Sequence, residues 1–305
     1  MGRWATETPP PGVPYGGVLR TRHASPALTL VGVALGILSF TVLAPLVMRS
    51  LAGLYQVITR AADFADTYAA LVAYEIPFGL VVGHLGLATL IPIAAALLLF
   101  LHHVRPGYLS SVQGRIRWRW FGVTLGVAAA CLAVILLAQN LTAPGGPRWG
   151  ITPQDSWLAF VAVMLLTTPF QAAAEEYFFR GYLIQAFGSL VANPWFGIIT
   201  SSAVFTLFHS STDPALIVDR FAFGILAGML VVATGGLEAA IAAHVVNNVA
   251  SFALAALTSS MAEVKAVSEV TWVAAGWDIA RFAFFATLVW WVARRVQPQR
   301  LTAAH

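Results

Sequence analysis

Charged side chains make up only 10% of these 305 residues, against roughly 25% in an ordinary soluble domain. That scarcity excludes a water-solvated globule, and a 59% hydrophobic content with a mean hydropathy of +0.78 places the chain in a membrane. Cysteine is nearly absent. The single Cys131 lies in an apolar run, so no intrachain disulfide can form, and it reads as a small core hydrophobe. Lysine is equally scarce: Lys265 is alone among seventeen basic residues, and with abundant Ala, Val and Gly this points to a GC-rich bacterial genome. The chain also lacks G-x-S-x-G, a G-x-G-D aspartate pair and H-E-x-x-H, which excludes a serine elbow, an aspartyl dyad and a helix-borne zincin site. There is no internal repeat and no soluble domain boundary.

What is present is a series of apolar runs long enough for helices of ~20 residues. They cover roughly 27–48, 78–101, 119–139, 157–180, 195–212, 214–234, 236–258 and 270–293. The expected fold is therefore all-α, a polytopic bundle of about eight transmembrane helices. Residues 1–26 are Pro- and Gly-rich, lack the apolar region of a signal peptide, and read as a disordered cytoplasmic tail. Met1-Gly2 followed by Thr6 fits the loose myristoylation pattern, which matters only in a eukaryotic cell. Residues 49–76, with Arg60, Asp63, Asp66 and Glu75, could lie along the interface as an amphipathic connection.

Positive charge orients the bundle. Arg3, Arg20 and Arg22 precede the first span, Arg105, Arg115, Arg117 and Arg119 lie between the second and third, and Arg294, Arg295 and Arg300 follow the last. A multi-pass protein of the cell membrane with both termini cytoplasmic is expected, leaving 140–156 and 259–269 outside. Trp272 and Trp277 at one end of the last span and Trp290 and Trp291 at the other form two aromatic belts.

Polar residues intrude on three of the spans in the second half: Glu175, Glu176 and Arg180, then His209, then His244, Asn247 and Asn248. The first half has only His84 to compare. Each ionised group costs at least ~2.5–3.5 kcal/mol at the bilayer centre, so such residues mark function or interhelical contacts. Glu176 and Arg180 have the i,i+4 spacing of a same-face ion pair, with the acid on the favoured N-terminal side. Glu175 is turned about 100° away and can face a neighbouring helix without a dedicated counter-charge, free for proton transfer. His244 and Asn248 share a face, whereas Asn247 is the less favoured partner. One carboxylate, two imidazoles and one carboxamide suit activation of water and stabilisation of an oxyanion.

The sequence "EEYFFR" (Glu175 to Arg180) matches E-E-x-x-x-R, "FTLFH" (Phe205 to His209) matches F-x-x-x-H, and "HVVNN" (His244 to Asn248) matches H-x-x-x-N/B. In their order and intervening lengths these three motifs resemble those of the CAAX protease and bacteriocin-processing family, also called Abi, which includes the Ras-converting prenyl-protein endopeptidases. "FAFGILAG", with Phe221, Gly224 and Gly228, also looks like the family's glycine-bearing span, although small residues every four positions serve close packing equally well. The resemblance covers roughly 155–260. It implies that Glu175 activates water with His209 assisting, that His244 and Asn248 hold the oxyanion, and that Glu176 and Arg180 support them.

On that reading residues 27–154 are N-terminal transmembrane helices, 155–260 the catalytic core, and 261–305 the last span with a basic cytoplasmic tail. The expected partners are a peptide, lipidated-protein or membrane-protein substrate and the lipid itself, with no nucleic acid. Family members are often labelled metalloproteases. Glu175, His209 and His244 could hold a divalent metal such as zinc. Neither histidine has an obvious carboxylate partner in the sequence, which leaves metal-free water activation equally open. The rival class is a non-proteolytic membrane protein, either a proton-coupled transporter or a peptide-binding immunity or scaffold protein. Against a carrier, the polar residues occupy one half only.

Overall fold

The computed structural model describes residues 6–142 and 150–303. Met1-Gly2, Arg3 and the middle of the 140–156 connection lie outside the described residues. The described residues are helical, with isolated β-bridges and no strand. Nine helices carry the architecture: α1 Pro26–Thr59, α2 Phe64–Val72, α3 Phe78–Leu101, α4 Trp118–Leu141, α5 Trp157–Leu190, α6 Pro194–Phe208, α7 Pro214–Thr234, α8 Glu238–Thr258 and α9 Trp272–Val296. Seven of these, all but α2 and α6, are long and apolar enough to cross a membrane. The protein is a polytopic helical membrane protein.

Helix starts are written locally. Ser25, Asn193 and Asp213 each cap a helix through the side chain and are each followed by proline, whose missing N–H is no loss in the first turn. Gly235 ends α7 in the left-handed region at φ +74°, where a Cβ would stand 2.7 Å from the Gln299 carbonyl oxygen. Only glycine fits there.

The packing order closes on itself: α5 touches α8, α8 touches α4, α4 touches α9, α9 touches α7, α7 touches α6, and α6 returns to the second half of α5. Helix α3 lies against the outside of α5, with α1 against α3. The lipid-facing side of α1 carries exposed Leu30, Leu38, Val42 and Leu46.

Three sequence expectations are corrected. The Pro/Gly-rich N-terminal stretch is not a disordered arm over residues 6–25. Tyr15, Val18 and Leu19 are buried, the Tyr15 hydroxyl donates to the Leu109 carbonyl, and Arg20 donates to Gly188 O through Nε at 3.0 Å. A few apolar residues among the prolines suffice to dock it. The 49–76 connection is not one interfacial helix, because α1 continues to Thr59 before α2 begins. The fourth span does not stop near 180 but runs to Leu190.

The N-terminal segment meets the residues after α9. Gly12 N donates to Thr302 O at 3.1 Å and Thr302 N to Val13 O at 3.0 Å, joining the N-terminal segment to the residues after α9. Residues 12–13 and 302 thus lie at one end of the bundle. The expected count of about eight spans meets seven helices of sufficient length, because the apolar α6 reaches only ~22 Å over its fifteen residues.

That same end is fastened by a buried ion pair. Arg117 grips Glu238 bidentately, Nε to Oε1 at 2.8 Å and Nη2 to Oε2 at 2.6 Å, while Nη1 donates to Thr234 O and Gln299 O. Glu238 is fully buried. Replacing Arg117 with Met strands that carboxylate and is expected to cost ~3–5 kcal/mol, seen as earlier thermal unfolding in detergent. Adding Glu238→Leu should restore most of the loss, and a single variant as stable as wild type would contradict the assignment.

Candidate active site

Helix α5 sets the site. Thr167, Gln171 and Glu175 recur every four residues along it and present one polar face to α3 and α8. Thr167 Oγ1 lies 2.8 Å from His84 Nδ1, so His84, the one polar intrusion of the first half, is held as an interhelical contact. Gln171 Nε2 donates to Glu175 Oε1 at 2.5 Å. At Glu176 the helix loosens into a π-helical stretch that lasts to Leu183. Such widened turns are characteristic of functional positions.

Both adjacent glutamates are buried and both meet His244 of α8. Glu176 Oε1 lies 2.8 Å from His244 Nδ1, and Glu175 Oε2 lies 3.8 Å from His244 Nε2. The imidazole is thus placed between two carboxylates. Glu175 Oε2 has no hydrogen-bond partner among the described protein atoms. The expectation that neither histidine has a carboxylate partner is overturned, because Glu176 serves His244.

The i,i+4 ion pair is present: Arg180 Nη1 stands 3.3 Å from Glu176 Oε1, with both side chains fully buried. Aromatic faces complete the guanidinium's surroundings, with its carbon 4.0 Å from the ring centre of Phe205 and 4.9 Å from that of Phe223. Phe223 also makes an edge contact with His244, centroids 5.1 Å apart. The phenylalanine of "FTLFH" therefore has a physical task, to floor the buried arginine.

His209 follows the last turn of α6. Its Nδ1 is 2.9 Å from Phe205 O, and since a carbonyl only accepts, the ring donates there and leaves Nε2 as its acceptor. It lies within electrostatic reach of Glu175 and His244. The extension of α5 explains how depths match: Glu175 is 15 residues before Leu190 and His209 is 15 residues after Pro194. At ~1.5 Å per residue both stand ~22 Å from the end of the bundle where the termini meet. A fourth span ending near 180 would have left Glu175 much nearer that end than His209. His244 is only six residues into α8, but that helix starts from Leu237 and Glu238, which are themselves buried.

Asn248 Nδ2 donates to Gln171 Oε1 at 3.0 Å, and Asn247 Nδ2 donates to Asn248 Oδ1 at 3.1 Å. Arg281 of α9 donates from Nη2 to Asn247 Oδ1 at 2.6 Å and pairs with Asp278 at 3.0 Å. Gln171 and Arg281 were not singled out from the sequence. Gln171 had a signal, an amide one turn before Glu175 on the same face; Arg281, on the last helix, had none. Phe221 faces outward, and it is Phe223 that reaches the site. At Gly224 a Cβ would stand 2.7 Å from Ser202 Cβ, so this glycine serves the close approach of α6 and α7.

Residues 156–250 are similar to a known protein family. The matching family is described as type II CAAX prenyl endopeptidase Rce1-like, and the matched stretch runs from the start of α5 into α8. Over 99 residues the chain is also 34% identical to the uncharacterized protein YyaK of Bacillus subtilis (strain 168), covering 30% of this chain and 32% of that protein. The chain thus spans about a third of that relative's length. No solved structure matches. All six residues of the candidate site, from Glu175 to Asn248, fall within the Rce1-like stretch, as does Gln171, while Arg281 lies beyond it.

The metal alternative can be set against the geometry. Among the described residues no group of three His, Cys, Asp or Glu side chains is placed to hold a metal ion. His244 Nδ1 meets Glu176 and His209 Nδ1 meets a backbone carbonyl, contacts that a metal-bound imidazole also makes, so these two bonds do not themselves separate the alternatives. The set expected for zinc, Glu175, His209 and His244, is not gathered as ligands.

Proposed function

We propose that this protein is an intramembrane endopeptidase of the CAAX type, hydrolysing a peptide bond in a membrane-associated or lipidated protein or peptide. The observation that carries this reading is the buried Glu175 Oε2, which has no protein hydrogen-bond partner and faces His244 Nε2 at 3.8 Å. A carboxylate oxygen so placed can take a proton from water as the resulting hydroxide adds to the scissile carbonyl. His209, accepting through Nε2, assists in orienting that water. The oxyanion then forms against His244 and the Asn248 carboxamide N–H. With its Nδ1–H given to Glu176, His244 can donate at Nε2 to the oxyanion only in its doubly protonated form. The proton held by Glu175 passes to the leaving amine, which completes the hydrolysis. Residues 155–260 form the catalytic core on this reading, and the arginine-rich end of the bundle, where both termini meet, faces the cytoplasm.

The test is cleavage by purified protein in detergent, with prenylated and unprenylated peptides compared and products identified by mass. Cleavage is expected and is expected to survive exhaustive dialysis against a chelator. Loss on chelation, restored by one added metal, would overturn the metal-free step. Proton-linked uptake in proteoliposomes without any peptide cleavage would overturn the proteolytic reading.

A further inference from the structure

Four hydrogen bonds form one directed chain across three helices. Arg281 Nη2 donates to Asn247, Asn247 to Asn248, Asn248 to Gln171, and Gln171 to Glu175, at 2.6, 3.1, 3.0 and 2.5 Å. Three carboxamides in a row could run in either sense, since each holds a donor and an acceptor. The two ends remove that freedom. A guanidinium has donors only and an ionised carboxylate acceptors only. Each amide must therefore turn its oxygen toward Arg281 and its NH2 toward Glu175. Reversing one of them opposes N–H to N–H on one side and oxygen to oxygen on the other.

We infer that Arg281, acting through Asn247, is a positioning residue that keeps the Asn248 NH2 turned toward the reacting centre during hydrolysis. This rests on the proteolytic reading above. The need for a remote anchor arises from the reaction itself. When Glu175 takes the proton of water at Oε2, its Oε1 loses the negative charge and holds the Gln171 N–H less strongly, so this end of the chain dictates the sense less firmly. That is the moment at which the oxyanion exists. Arg281, held by Asp278 at 3.0 Å and unable to accept, is then the stronger anchor of the two. The second Asn248 N–H, not used by Gln171, remains directed at the oxyanion. A reversed Asn248 would present its carbonyl to a negative charge.

The experiment measures kcat, KM and melting temperature for wild type, Arg281→Gln, Arg281→Lys, Asn247→Asp and Glu175→Gln in one detergent. Arg281→Gln restores two-way hydrogen bonding at the anchor, so kcat should fall about 10- to 100-fold, the scale of a small misplacement beside the chemistry. KM should hold, because substrate binding precedes the charge that is lost. Arg281→Lys still has donors only and should recover most of kcat. Asn247→Asp keeps an acceptor for Arg281 but also draws the Asn248 N–H to itself, so it should lower kcat by about 10²–10³-fold, as when an oxyanion donor is removed. If Arg281→Gln fails to fold, Arg281→Lys and Asn247→Asp decide alone. Wild-type kcat in Arg281→Gln or in folded Asn247→Asp, or an Arg281→Lys as impaired as Arg281→Gln, overturns the inference while an inactive Glu175→Gln leaves the proteolytic reading standing. A Glu175→Gln that cleaves normally overturns both.

Discussion

Glu175→Gln is expected to lower kcat about 10²- to 10⁴-fold, the contribution of a positioned general base, while the protein stays folded. The replacement keeps the size of the side chain and an oxygen to accept the Gln171 N–H, which is bonded to Oε1 at 2.5 Å. What it removes is the oxygen that faces His244 Nε2 with no partner of its own. Because Glu175 shares His244 with Glu176 and makes no hydrogen bond through Oε2, losing its charge should leave the melting temperature little changed. The split between chemistry and stability is what separates a base from interhelical glue, and cleavage rate beside thermal unfolding reads both. A Glu175→Gln protein that cleaves normally, or one that loses activity only because it unfolds, contradicts the assignment.

The parts of this site legible in the sequence are those set by local periodicity. Glu176 and Arg180 pair because four residues bring them to one face, and the close approach at Gly224 follows from a small residue inside a span. The convergence of Glu175, His209, His244 and Asn248 was suggested by motif order and intervening length. Other features depend on geometry that a periodic pattern does not hold. A regular α-helix turns adjacent side chains about 100° apart, so Glu175 and Glu176 read as divided between two neighbours. The π-helical stretch beginning at Glu176 lies where both instead meet one imidazole. The length of the fourth span is hidden in the sequence for a related reason. Glu175, Glu176 and Arg180 look like the end of an apolar run, but they are charges compensated inside a helix that continues to Leu190. Prolines and glycines give residues 6–25 the composition of a disordered segment, while the docking is carried by Tyr15, Val18 and Leu19. Arg281 could not be reached from the sequence at all, since its partner Asn247 lies 34 residues away on another helix.

Glu176→Gln should show the opposite division, with the loss appearing first in folding. Arg180 is fully buried, and among the described residues the carboxylate within ion-pair distance is Glu176, 3.3 Å from Nη1, with the ring faces of Phe205 and Phe223 against the guanidinium. Neutralising Glu176 leaves a guanidinium in a low-dielectric interior with aromatic faces alone. Breaking such a pair from one side costs ~3–5 kcal/mol. The same change weakens the hold on His244 Nδ1, so whatever protein does fold should also cleave more slowly. Removing the orphaned charge as well, in Glu176→Gln with Arg180→Met, should recover most of the stability, because methionine fills the slot between the two rings without demanding a counter-ion. A double-mutant cycle on melting temperature reads this as a large coupling between the two positions. The mechanism adds a second condition. The double variant should stay slow in cleavage although it is stable, since His244 Nδ1 then leans on a neutral amide and is held less firmly. Additive losses in the cycle would mean that the pair is not what stabilises Arg180. A folded Glu176→Gln with no activity beside a normally active Glu175→Gln would mean that the two carboxylates have exchanged roles.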